Sequence, residues 1–107
     1  MSLDISFTEI METDVFDTNI THNLGKLAHE VEIYYPLWRP EEVGITKAGE
    51  LIEPLTHGLK LLKDKPDEFR PFGAKNGWGT YEQFVPWVER LLAACKEYPN
   101  AIIHVSR

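Results

Sequence analysis

Leu3-Asp4-Ile5-Ser6-Phe7-Thr8-Glu9-Ile10 sets Leu3, Ile5 and Phe7 at every second position, with Asp4, Ser6 and Thr8 between them. Successive side chains of a strand point to opposite faces, so this period of two predicts a β-strand with one apolar and one wet face. Near the other end, Ala101-Ile102-Ile103-His104-Val105 is a short β-branched run behind the turn-forming pair Pro99-Asn100, and it predicts a second strand. The two ends of the chain are therefore expected to share a sheet.

Between them the apolar period changes to that of a helix. Ile20, Leu24, Leu27, Ala28 and Val31 predict a helix over about 20 to 32, with Thr18 or Asn19 as its cap. A second helical region runs from Lys47 to Asp64 with Thr46 placed to cap it. Pro54 lacks an N–H, so a kink is expected there, or a fresh helix starting near Glu53. Thr80 and Gln83 form a capping box ahead of Phe84, Val88, Leu91, Leu92 and Cys95, which predicts a third helix over Tyr81–Glu97, bent in its first turns by Pro86. The expected fold is α+β: about three helices packed on a small sheet formed by the N- and C-terminal strands, in a single domain spanning residues 1–107.

Composition narrows the function classes. The chain of 107 residues is 43% hydrophobic and 26% charged, as a globular domain should be. Its 17 acidic and 11 basic residues give a net charge of −6, which opposes association with nucleic acid or an anionic membrane surface. No apolar run approaches the roughly 20 residues needed to cross a bilayer, and the acidic start MSLDISFTEIMETD does not read as a signal peptide. With Cys95 as the one cysteine, no intrachain disulfide can form and the cytoplasm is the expected compartment.

Three short segments carry polar and aromatic residues beyond what helices and strands require. In Asp17-Thr18-Asn19-Ile20-Thr21-His22-Asn23, capping accounts for one or two residues, and the expected helix start offers free N–H groups to an anion. In Tyr34-Tyr35-Pro36-Leu37-Trp38-Arg39-Pro40-Glu41-Glu42, a rigid double-proline turn presents residue types common in binding sites. The plainer reading is that Tyr34, Leu37 and Trp38 close the core while Arg39 pairs with Glu41 or Glu42. In Asn76-Gly77-Trp78-Gly79-Thr80-Tyr81-Glu82 the glycines permit a sharp turn into a helix start, although neither GxGxxG nor a P-loop is present. The expected ligand-binding set is Asn19, Thr21, His22, Asn23, Trp38, Arg39, Asn76, Trp78, Thr80 and Tyr81. No cofactor and no metal site is expected: His22 and His29 lie seven apart, near one side of the expected helix but not at the ligand spacing of four. No HExxH, paired CxxC or EF-hand loop occurs. Cys95 lies on an apolar stripe and reads as an inert buried thiol.

Through DTNITHNLGKLA, YYPLWRPEEVGI, LIEPL, NGWGTYEQFVPWVERLLAAC and the terminal HVSR, the chain resembles a family of small proteins encoded by tailed phages, prophages and bacteria. Members often carry additional cysteines near the start, where this chain has MSLDISFTEIMETD; that difference counts against a family metal site of that kind. The resemblance implies a context, that of an accessory or counter-defence factor, and no particular activity. The functional expectation is a binding protein for a small anionic or nucleotide-like ligand, in a pocket where the three segments meet. Two alternatives stand beside it: a protein-interaction factor or inhibitor of a host protein, and a small hydrolase or transferase using His22. A homodimer is the default expectation for assembly.

Overall fold

In the computed structural model, which describes residues 2–9, 13–73 and 79–107, the alternating N-terminal segment forms strand β1 (Ser2–Glu9). Its apolar positions Leu3, Ile5 and Phe7 are almost wholly buried, as the period of two requires. The C-terminal run forms β3 (Ile102–Ser106), which pairs antiparallel with β1 from Asp4↔Ser106 to Thr8↔Ile102. The two ends of the chain do share a sheet.

The segment expected to open the first helix is instead a third strand, β2 (Thr13–Thr21), antiparallel to the other side of β1. The sheet order is β2-β1-β3. Asp17, Thr18 and Asn19 therefore cap nothing. Phe16, Thr18 and Ile20 point inward beside Phe7, Ile5 and Leu3, and the register slips between Phe7 and Thr8 so that Val15 has no partner on β1. The inward Thr18 is the telling residue: its Oγ1 accepts a hydrogen bond of 2.8 Å from Nε1 of the buried Trp87. A polar residue on the core side of a strand is tolerated because it satisfies an indole N–H that would otherwise be stranded.

Only the later part of the expected helix is helical. A 3-10 turn, His22–Leu24, leads into the short helix α1 (Gly25–Glu30), and the cap is Thr21, whose hydroxyl accepts from the Asn23 N–H at 3.2 Å. His22 and His29 therefore do not share one helix. The double-proline segment is also not a turn: it forms α2 (Tyr34–Trp38) followed by a 3-10 helix, Pro40–Val43.

The second helical region divides at the place Pro54 suggests. A 3-10 turn, Ala48–Leu51, precedes α3 (Ile52–Asp64), and Pro54 falls in the first turn of α3, where its missing N–H costs nothing. The start is capped by Glu50 rather than by Thr46. The Glu50 carboxylate accepts from the backbone N–H groups of Lys47 and Thr46 at 2.8 and 3.1 Å. Pro66 opens the next short helix, α4 (Pro66–Phe69). The third helix, α5, runs over Tyr81–Glu97 with the Thr80/Gln83 capping box formed in both directions.

Helix α5 lays Phe84, Val88, Leu91, Leu92 and Cys95 into one core with α3, the inner face of the sheet and the buried Leu24, Leu27, Leu37 and Trp38. The outer face of the sheet carries Asp4, Asn19 and Ser106 in one row across the strands and Asp17, Ser6 and His104 in the next. The layers are thus helices, a buried seam, and a sheet whose far side is polar. Among the described residues no helix is long and apolar enough to cross a membrane.

Candidate functional site

The end of β2 and the 3-10 turn after it place Asn19, Ile20, Thr21, His22, Asn23 and Leu24 along one wall of an open cleft of about 730 Å³. Among the described residues, Ser2 on β1, Gly79 just ahead of α5 and Gln83 in its first turn make up the rest of the lining. Strand geometry sets this wall. Asn19 and Thr21 are two apart and share the outer face of β2, and the chain then turns so that His22 and Asn23 continue the same rim.

Gly79 brings the third polar segment against the first. Its φ of +82° lies in the left-handed region, and a Cβ there would stand 2.8 Å from Thr21 Cγ2, 3.1 Å from Leu24 Cγ and 3.3 Å from Asn23 Cβ. Only glycine allows the approach at this backbone angle and this distance. The contact is held from the helix side by Gln83, whose Oε1 accepts from the N–H groups of Gly79 at 2.8 Å and Thr80 at 3.0 Å.

The second polar segment reaches the site through one hydrogen bond. Trp38 Nε1 donates to His22 Nδ1 at 2.9 Å, and Trp38 is buried behind the histidine. An indole N–H can only donate, so Nδ1 of His22 is the unprotonated nitrogen and Nε2 carries the proton. His22 is presented as a neutral donor. A general base acting through Nε2 would need the opposite tautomer, so this bond works against the hydrolytic role.

The expected site residues therefore sort by geometry. Asn19, Thr21, His22 and Asn23 line the cleft, and Trp38 orients His22 from behind. Thr80 is spent on the α5 cap, accepting from the Gln83 N–H at 3.2 Å. Tyr81 points inward and donates to the Leu62 carbonyl at 2.5 Å, while the Arg70 guanidinium lies 5.0 Å over its ring. Arg39 does not line the cleft but pairs with Glu42 at 3.0 Å, as the plainer reading of that segment has it, and Glu41 instead receives Arg107 at 2.6 Å. Asn76 and Trp78 lie outside the described residues. Sequence reasoning missed Ser2, which lies just ahead of the expected strand, and saw Gln83 only as a capping partner. Gly79 was the available signal, because a glycine two residues before a helix is a place where another chain segment can come close.

The lining holds hydroxyls, amides, an imidazole and two aliphatic side chains, with no lysine, arginine, aspartate or glutamate among the described residues. No cluster of three or more His, Cys, Asp or Glu side chains among the described residues is arranged to hold a metal ion. Cys95 lies in the core, where burial pushes its thiol up to about 12. No protein-family model, curated protein or solved structure matches this chain.

Proposed function

We propose that the chain is a binding protein for a small nucleotide-like ligand, taken up in the cleft between the β2 turn and the start of α5. The carrying observation is the lining itself: hydrogen-bonding side chains from sequence-distant segments, assembled around a volume typical of small-molecule sites. A heterocyclic base offers donors and acceptors that the Asn19 and Asn23 amides and the His22 Nε2–H can match. An anionic group finds no cation in the described lining, so recognition rests on the base or sugar more than on phosphate. The resemblance to phage-borne proteins fits a factor that sequesters a small molecule in the cytoplasm of its host.

The test is a thermal-shift panel of nucleobases, nucleosides and their phosphates, together with mass spectrometry of whatever the purified protein carries. A ligand at a hundred times its Kd should stabilise the fold by about 2.7 kcal/mol. A nucleoside should shift Tm about as far as its phosphate, and Asn23→Ala, an exposed change, should reduce the shift. A panel that leaves Tm unmoved, or a shift indifferent to Asn19→Ala and Asn23→Ala, would refute this reading.

A further inference from the structure

A second hollow, sharing no residue with the cleft, lies where α1 meets α2. It encloses about 270 Å³ and is bounded by His29, Glu32, Tyr34, Tyr35 and Pro36. The His29 and Tyr34 rings are stacked at 3.8 Å with 12° between their planes, and Tyr35 stands nearly perpendicular to both, at 83° and 86°. Tyr34 is stacked on both His29 and Trp38, so the ring faces left to the hollow are those of His29 and, at a right angle to it, Tyr35. Trp38 stacks on Tyr34 at 5.3 Å and 9°, which fixes the His29–Tyr34 stack to the core.

Glu32 adds the charge. It has a φ of +65°, unusual for a residue with a side chain, and its carboxylate receives His57 Nε2 at 2.8 Å. Among the described residues the lining thus holds one carboxylate, paired with His57, and no lysine or arginine. Arg39 lies outside this lining, hydrogen-bonded to Tyr34 and paired with Glu42 at 3.0 Å. Tyr35 keeps 45% of its surface exposed, a large aromatic left in water beside the opening.

We infer that this hollow binds the methylated ammonium head of an organic cation. Aromatic faces carry negative quadrupole charge and attract a cation placed over them. Rings cannot replace the hydrogen bonds that a bare ammonium makes with water, whereas a quaternary ammonium makes none and loses little on entering. The small volume suits a head group with its tail outside, and the net charge of −6 favours approach of a cation.

The test is an NMR titration of the intact chain with tetramethylammonium chloride against sodium chloride at matched ionic strength, followed at the rings of His29, Tyr34 and Tyr35. Saturable shifts confined to these rings are expected. Tyr35→Ala should weaken binding about tenfold and Glu32→Gln about fivefold; both positions are exposed, so the fold should survive. Choline should bind at least about tenfold more tightly than its uncharged isostere 3,3-dimethylbutan-1-ol. Comparison of choline with a trimethyllysine peptide separates the sources: tighter choline assigns a free metabolite, and tighter peptide assigns a modified side chain. The inference is overturned if the rings show no saturable shift, if the uncharged isostere binds as well as choline, or if neither variant changes affinity.

Discussion

Adding one methyl group at Gly79 should damage both the fold and the cleft, and the structure supplies its own control. Gly79 and Gly44 both adopt left-handed backbone angles, φ +82° and +72°. An alanine at either position pays about 1–2 kcal/mol for that conformation. At Gly44 the new Cβ would meet nothing within 4 Å, so the cost should end there. At Gly79 it would press on Thr21 Cγ2 at 2.8 Å and on Leu24 and Asn23, and such overpacking adds about 1–3 kcal/mol. Gly79→Ala should therefore lose about 2–5 kcal/mol and Gly44→Ala about 1–2. Urea titrations followed by tryptophan fluorescence should separate the two midpoints by about 1 M at ordinary m values. Thr21→Ser removes the offending methyl and keeps the capping hydroxyl, so in the Gly79→Ala background it should recover about 1 kcal/mol. Equal losses at the two glycines, or no recovery with Thr21→Ser, would mean that the third segment does not close on the first as described.

Other consequences can be measured on the same protein. Thr18→Val leaves the buried Trp87 N–H without its acceptor and should cost about 1–3 kcal/mol, while Thr18→Ser should be close to neutral; denaturant unfolding distinguishes them. Nitrogen NMR of His22 should find Nε2 protonated and Nδ1 not, and Trp38→Phe, which removes the indole donor, should release that preference; a protonated Nδ1 in the unmodified protein contradicts the hydrogen bond. Glu50 has its pKa held below 4.5, first by the Lys47 backbone N–H and then by that of Thr46. A carboxyl depressed by folding stabilises above its unfolded pKa and loses that contribution as pH falls through the folded one. The stability gap between the unmodified protein and Glu50→Gln should therefore be widest above pH 4.5 and close below it; a gap that ignores pH argues against this cap. Cys95, with its thiol raised to about 12, should resist Ellman's reagent at pH 8 in the folded protein and react once the chain is unfolded in urea.

The parts of the fold that sequence made legible are those whose local pattern agrees with their surroundings. β1 alternates cleanly, α5 announces its cap and stripe, and Pro54 marks a helix start in the form such starts take. β2 was hidden for two physical reasons. Its inward Thr18 is polar and makes sense only beside Trp87, 69 residues away, and the unpaired Val15 breaks the period of two. Ile20 then happened to fall in phase with the helical residues from Leu24 onward. The polar segments were visible as unusual, but which of their side chains share a site was not. Asn19, Thr21, His22 and Asn23 line one cleft because they end a strand, whereas Tyr81 and Arg39, equally conspicuous as letters, are turned inward or paired elsewhere.

The strand order has a consequence for how the chain becomes folded. β1 is made before the other two strands yet ends as the middle one, and the hydrogen-bonded Thr8 of β1 and His104 of β3 stand 96 residues apart. A β1–β2 hairpin can close early during synthesis, but the other edge of β1 must wait, unpaired, until residues 102–106 have left the ribosome. Loop-closure entropy grows only slowly with length, so the delay weighs on the rate of folding far more than on final stability. Through that interval Leu3, Ile5 and Phe7 form one face of an open-edged strand, the kind of surface that recruits chaperones or other nascent chains. Synthesis of residues 102–106, which cover that edge, therefore ends the period in which this protein is most exposed to aggregation.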